Sequence, residues 1–291
     1  LNSSAGERLD HYLVRTGHAA SRRDAREMVA RGAVIVNGRR GIKGAIVKPG
    51  DNVEVESPSH LEFIAPEPSA AIEVLFQDAA IVVVNKPGGI PCHPLRPGER
   101  GTVMNAVVAR FPESAFAGDK PIEGGLIHRL DNGTSGALMI ARSSEAFSMM
   151  RTAIRSGLIK RSYLALVSGK LKMALNLDAP IAHHPKNPRK MIIGSDGSGR
   201  RAITRVEPIQ RIGDFTLVAA IPSTGVRHQI RLHLANAGFP IIGDDLYGGP
   251  ASPHLEATRF WLHLSEMEFE SPASGACKVS APLPPELAQM I

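Results

Sequence analysis

Long apolar runs are missing from this chain, cysteine is nearly so, and acidic residues are short in one region; each shortage excludes something. No eighteen consecutive apolar residues occur, and the longest apolar stretches are strand-sized, which excludes a membrane-spanning helix. No secretory apolar region opens the sequence. Two cysteines, Cys92 and Cys277, are too few for a disulfide scaffold of this size and fit a reducing compartment, so a cytoplasmic location is expected. Neither HExxH nor a CxxC pair accompanies Cys92-His93 or His183-His184, so no metal is expected. Gly88-Gly89 follows a strand-like run, yet neither GxGxxG nor GKS/GKT is present, and a nucleotide-binding loop fails on spacing. No repeat of fixed period is visible.

With 291 residues, 43% of them hydrophobic, the chain can bury one large core and a small one, or two of medium size. Its net charge of +6 and pI near 9.5 favour a polyanionic partner. Acidic residues are scarce between positions 8 and 48, where ten basic side chains face three acidic ones, and the remainder is nearly balanced. The polyanion argument therefore falls on the N-terminal segment.

That segment reads as two short helices and a small sheet. Leu9, Tyr12 and Leu13 have helical spacing, with Gly17 ending the first helix. Ser21-Arg22-Arg23-Asp24 has a capping-box pattern, and Ala25, Met28 and Val29 supply the second helix with an apolar face, leaving Arg22, Arg23, Arg26 and Arg31 to other faces. Ala33 to Val36 reads as a strand turning at Asn37-Gly38, and Val53 to Glu56 alternates as an edge strand does. Arginines on a helix are by default a solvated face; clustered as they are here, they can also hold phosphates without reading bases. Ser57 to Ala70, with Pro66 and Pro68, reads as a linker, giving domains over 1–60 and 71–291 with the linker at 61–70.

Beyond it, strands are expected at Ile72 to Phe76, Ile81 to Asn85, Lys160 to Val167, Ala202 to Val206, Phe215 to Ile221 and Trp261 to Phe269, the last clear one. Helices are expected at Thr102 to Arg110, Ser144 to Ser156 and Arg227 to Ala237, and Pro185 to Gly199 is expected to be a mobile basic excursion. Strands without a regular βαβ alternation indicate an α+β domain with a mixed or antiparallel sheet.

Chemistry concentrates where Gly124-Gly125-Leu126-Ile127 runs into His128-Arg129-Leu130-Asp131, and an Asn-Gly-Thr-Ser-Gly turn leads into Ala137 to Ala141. A carboxylate at a strand-to-turn junction is positioned by rigid neighbours, and Asp131 is the first candidate for catalysis. Taken alone it would be a polar hairpin. Three further stretches accompany it: Val84-Asn85-Lys86-Pro87-Gly88-Gly89; Thr224-Gly225-Val226-Arg227-His228-Gln229-Ile230-Arg231-Leu232-His233-Leu234; and Gly243-Asp244-Asp245-Leu246-Tyr247-Gly248.

Together, NKPxG, HRLDxxTSG, HQIRxHL and GDxLYG resemble the RluA-type family of RNA pseudouridine synthases over roughly residues 70 to 290. RLDxxL, SRxxAxxxxxxGxVxVNG and KPGD resemble the S4-like RNA-binding domain across the N-terminal segment. The resemblance implies a small α/β RNA-gripping module joined to an α+β catalytic domain that isomerises uridine to pseudouridine, with no cofactor. It further implies catalysis by Asp131, either by attack on the anomeric carbon or by removal of a ribose proton to give a glycal. Arg231 would pair with that carboxylate, Tyr163 would stack on uracil, and Arg129 would fill the gap left by an extruded base. His128 belongs to the same RNA-facing stretch. Arg227 departs from the family's Gly-Arg-Thr-His-Gln, its arginine having moved one place, and an altered RNA contact is expected there.

The bland alternatives are a surface salt bridge for Arg231 and a core position for Tyr163. Large-subunit ribosomal RNA of the 23S type is the substrate expected by analogy, and a monomer the expected state. An inactive RNA-assembly factor and a carboxylate glycosidase are the rival readings; retention of Asp131, Tyr163 and Arg231 argues against the first, and the second would need another carboxylate nearby.

Overall fold

The protein is seen in a computed structural model that describes residues 6–19, 21–30, 32–55, 63–195, 197–256 and 258–291. Arg31, expected to contact RNA, and residues 56–62, which include the first two of the linker, lie outside the described residues. The chain divides into two units, Leu1–Ser59 and His60–Ile291.

The first unit runs β1 (Glu7–Arg8), α1 (Leu9–Arg15), α2 (Arg22–Ala30), β2 (Val34–Val36), β3 (Arg39–Arg40), β4 (Ile46–Val47) and β5 (Val53–Val55). β2 lies between β3 and β5 in an antiparallel sheet, and β1 pairs with β4. Asn37 and Gly38 both take positive φ, the hairpin turn that matches strand twist. Leu9, Leu13, Ala25, Met28, Val29, Val34 and Val47 form the core. The buried Asp10 carboxylate receives Arg8 at 2.9 Å, Arg26 at 3.2 Å and Arg22 at 3.3 Å. Its hydrogen bond to Arg8, aided by Arg26 and Arg22, holds it far below the usual carboxylate range against the opposing effect of burial.

The second unit begins with β6 (Glu73–Gln77), β7 (Ile81–Lys86), α3 (Val103–Arg110) and β8 (Ser135–Ala141). It continues through α4 (Ser144–Arg155), β9 (Lys160–Ser168), β10 (Leu175–Asp178), β11 (Ile181–His183) and β12 (Met191–Ile193). β13 (Ile203–Ile212), β14 (Phe215–Pro222), α5 (Gln229–Asn236), β15 (Leu262–Ser271), β16 (Gly275–Ser280) and α6 (Pro285–Ala288) complete it. The large sheet has the order β10-β13-β14-β9-β15-β8-β7-β6, with β16 paired to β15, and is antiparallel except where β15 meets β8. This is the mixed-sheet α+β class expected. β8 is buried at every position and β7 at nearly every one, which is why both read as unbroken apolar runs rather than alternating ones.

One row across the sheet sets the site. Leu264 of β15 pairs with Tyr163 of β9 on one side and with Gly136 of β8 on the other. A Cβ on Gly136 would lie 2.2 Å from the Leu264 carbonyl oxygen, so only glycine allows this approach. Tyr163 is thus tied in register to the strand that Asp131 introduces.

Several stretches differ from expectation. Residues 63–70 pack on the second unit: Ile64 is fully buried in its core, and the Ala65 carbonyl accepts from Asn105 at 2.7 Å. Pro185 to Gly199 contains β12, which pairs with β11. β16 follows the strand expected to be last. α5 begins at Gln229, because His228 sits in the left-handed region with φ 56° and ψ 19° and cannot be a helical residue.

Candidate active site

The Asp131 loop is held by its own carbonyls. Buried Lys86, at the end of β7, donates to the carbonyls of Pro87 at 2.8 Å, Asn132 at 3.1 Å and Thr134 at 2.7 Å. The Asn132 carbonyl also receives Gly89 N–H at 2.8 Å, and the Gly133 carbonyl receives Arg259. Cys92 brackets Leu130, accepting its N–H at 3.4 Å and donating to its carbonyl at 3.3 Å. The Lys86, Cys92 and Arg259 side chains are buried and would lack partners without these carbonyls, so the loop is held in one arrangement. Burial draws the Lys86 ammonium down to about 8 and pushes the Cys92 thiol up.

From this loop the Asp131 side chain, 24% exposed, meets Arg231 of α5. Arg231 Nη1 donates to Asp131 Oδ2 at 2.9 Å, while its Nε and Nη2 grip the two oxygens of Asp244 at 2.7 and 2.8 Å. Asp244 is 1% exposed, and Phe260 and Tyr247 rings lie 4.3 and 5.2 Å from the guanidinium carbon. Burial alone would lower the Arg231 pKa; the hydrogen bonds and charge of Asp244 and Asp131 more than reverse it. One buried cation between two carboxylates is a satisfied network, with Asp244 fixing the guanidinium that holds Asp131. Asp131 Oδ1 has no hydrogen bond among the described residues and is the oxygen left for a ligand.

Beside it stands His228, whose Nε2 is 3.8 Å from Oδ1. Burial lowers the ring to about 4, against the opposing pull of Asp131, so at neutral pH the contact is not an ion pair. Tyr247 Oη accepts Met191 N–H and lies 2.9 Å from His228 Nδ1, so its own proton can go to Nδ1, leaving Nε2–H toward Asp131. Gln229 builds the turn beneath: its Oε1 accepts from Thr224 Oγ1 at 2.8 Å and Val226 N–H at 3.1 Å.

Tyr163 is buried; burial, and secondarily the Asp131 charge, raise its pKa, while Arg161 works against both. Arg129 is exposed, 3.7 Å from Glu123. His128 is placed otherwise than expected. It is buried, its Nε2 accepts Met139 N–H at 3.2 Å, and burial followed by Arg161 and Arg151 lowers it to about 3, so it supports β8 rather than facing RNA. In the first unit, Arg22 and Arg26 are half-exposed on Asp10, and Arg23 lies on the same helix. Arg227 is exposed and donates to the carbonyls of Pro188 and Arg189. His184 Nδ1 accepts the N–H groups of Lys186 and Asn187, a turn-forming role, and no cluster of three or more metal-ligating side chains occurs among the described residues. Asp244, Tyr247 and Lys86 were the site-building residues that sequence reasoning left unassigned; GDDLYG and NKPGG carried the signal.

The mixed sheet thus presents an accessible carboxylate, Asp131, on an arginine that is also anchored to the buried Asp244. The family model for RNA pseudouridylate synthase matches residues 80–236, and that for the S4 domain matches residues 7–53. The chain belongs to the RNA pseudouridine synthase family, enzymes that isomerise uridine to pseudouridine in RNA. It is 34% identical over 286 residues to an uncharacterized RNA pseudouridine synthase of Chloroflexus aurantiacus, covering 98% of this chain and 89% of that one. It is 32% identical to ribosomal large subunit pseudouridine synthase D of Xanthomonas campestris pv. campestris, covering 100% of this chain and 89% of the relative. In fold it is similar to human RNA pseudouridylate synthase domain containing 1, with a TM-score of 0.60 and 24% identity over 76% of this chain and 88% of the other. No helix among the described residues is long and apolar enough to cross a membrane.

Proposed function

We propose that the chain converts uridine to pseudouridine in large-subunit ribosomal RNA, with Asp131 as the catalytic carboxylate. The observation that carries this reading is the 2.9 Å contact between Asp131 and Arg231, itself locked by Asp244. Arg231 engages one oxygen and leaves Oδ1 free. Attack on C1′ of ribose and removal of a ribose proton both need one such oxygen, held without reorganisation while uracil departs. Tyr163, buried and register-linked to the strand after Asp131, offers a ring for the detached base. The target must leave its stack, at a cost of a few kcal/mol, and the exposed Arg129 guanidinium, two residues from Asp131, suits the gap it leaves.

Relatives named for the ribosomal large subunit support the choice of RNA, and the S4 domain supports a folded one. A glycosidase would use a second available carboxylate; Asp244 is not one, since both its oxygens are on Arg231. The test is Asp131→Asn, assayed by pseudouridine mapping on ribosomal RNA and by RNA binding. Product should vanish while affinity stays within about twofold, a change well below the 1.4 kcal/mol of a tenfold difference. A variant that still turns over removes Asp131 from the mechanism.

A further inference from the structure

Features that the isomerisation leaves unused meet in one place on the second unit. β11 and β12 pair His183 with Met191, Arg200 is bridged to Ile181 by backbone hydrogen bonds of 2.9 and 2.8 Å, and Val226-Arg227 precede α5. Between them lies a cavity of about 360 Å³ lined by Ile181, His183, Met191, Arg200, Val226 and Arg227. Ile181 and Met191 are buried and form a cluster with Leu232, against which Val226 packs, so the floor is apolar. His183, Arg200 and Arg227 are exposed at the rim.

The two guanidiniums differ in freedom. Arg227 donates to the carbonyls of Pro188 at 2.9 Å and Arg189 at 3.4 Å, which fixes its plane and leaves its Nε–H unspent. Arg200 makes no side-chain hydrogen bond or ion pair among the described residues, although its backbone is locked to Ile181. Lys186, Arg189, Lys190 and Arg201 add positive charge to the same stretch. A free anion would leave Val226 and the His183 ring uncovered, and an apolar ligand would leave the cations unused. A nucleotide uses both: its base lies on Val226 and the imidazole face, and its phosphate takes the guanidiniums.

The cavity adjoins the Asp131 carboxylate through a short relay. Met191 N–H donates to Tyr247 Oη at 2.9 Å, that oxygen is 2.9 Å from His228 Nδ1, and His228 Nε2 is 3.8 Å from Asp131 Oδ1. We propose that this cavity is a subsite for one unpaired nucleotide of the same RNA strand as the target uridine, with its base on Val226 and the His183 ring and its phosphate on Arg200 and Arg227. The subsite rests on the uridine-isomerising reading above. Because stacking tolerates any base, it selects uridines whose neighbour is unstacked rather than a particular sequence.

The test uses the full chain and unmodified large-subunit ribosomal RNA, irradiated in complex with short-wavelength ultraviolet so that any base can cross-link, with cross-linked peptides identified by mass spectrometry. Nucleotide adducts are expected within residues 181–200, and Val226→Asp and Arg200→Glu should each remove them. In turnover assays the same variants should raise KM on the order of tenfold with kcat within about twofold, in line with the loss of one stacked or phosphate-bound nucleotide. Adducts confined to the Asp131 loop or the N-terminal unit, or an unchanged KM in both variants, overturn the subsite. Cross-linking does not require turnover, so the two readings fail separately. Adducts in the cavity without pseudouridine would refute the proposed reaction, whereas pseudouridine without adducts there would refute the subsite.

Discussion

Arg231 shows what residue-level chemistry asks of this site. A guanidinium this deeply buried is stable only if its charge and donors are met, and it meets two carboxylates, one hidden and one accessible. Asp244 therefore reaches Asp131 through Arg231 and, with Asp131 as the proposed catalytic carboxylate, is a positioning residue. Asp244→Asn keeps the shape and removes one charge from the buried network, so it should lower stability by about 3 kcal/mol, as for other broken buried pairs. Its kcat should fall at least about tenfold with KM little changed, because the orientation of Asp131 and not RNA affinity is lost. Urea unfolding and steady-state turnover read the two effects; a variant with wild-type kcat would show that Asp131 needs no such support. The pairing of Arg231 with Asp131 was legible in the sequence because each sits in a dense local motif. Asp244 and Lys86 stood in equally visible motifs, yet nothing local says that one will bind Arg231 and the other the carbonyls of the Asp131 loop. Those facts arise only when α5 folds back on the Asp244 turn and when β7 pairs with β8.

Elements were legible in proportion to how local their cause is. β7 and β8 announce themselves as apolar runs, and α3 by the Thr102 cap, whose hydroxyl accepts from Asn105 N–H. β12 was hidden in a Gly/Pro-rich basic stretch because its anchor is distant: Met191 is fixed by Tyr247, fifty-six positions onward. The start of α5 was misread by periodicity, since left-handed His228 is set by its contacts with Tyr247 and Asp131 and not by its neighbours in the chain. β8 carries a pH signature of its own. His128 accepts the Met139 N–H of that strand, and burial, followed by Arg161 and Arg151, lowers its pKa from 6.5 to about 3. The unfolded chain takes up a proton below pH 6.5 that the folded one refuses until about pH 3, so stability must fall as pH drops through this window. For one such ring the loss between pH 6.5 and 5 is on the order of 2 kcal/mol. His128→Gln, whose Oε1 can take the place of Nε2 in accepting from Met139, should flatten that decline by this amount relative to the unaltered chain when urea midpoints are compared from pH 7.5 to 5. Equal slopes would mean that the ring is protonated in the folded state.

At the scale of the whole molecule, charge is divided between two tasks. In the first unit, Arg8, Arg22 and Arg26 converge on Asp10, so part of the positive surplus braces α1 against α2 instead of standing free. Arg39 and Arg40 on β3, with Lys43 beyond it, are exposed and lie off that network. A module of this kind grips RNA through phosphates, which is sequence-tolerant and salt-sensitive, and leaves the choice of uridine to the catalytic unit. Tethering then raises the concentration of RNA near Asp131 without altering the chemistry there. Changing Arg39, Arg40 and Lys43 together to alanine should reduce the slope of log affinity against log salt by about 2, at roughly 0.7 to 0.9 for each lost phosphate contact. KM at physiological salt should rise while kcat at saturating RNA holds, because no group near Asp131 is touched. Filter binding across a salt series and turnover at two RNA concentrations measure both; an unchanged slope would place the phosphate contacts elsewhere and leave these three side chains with solubility as their only task.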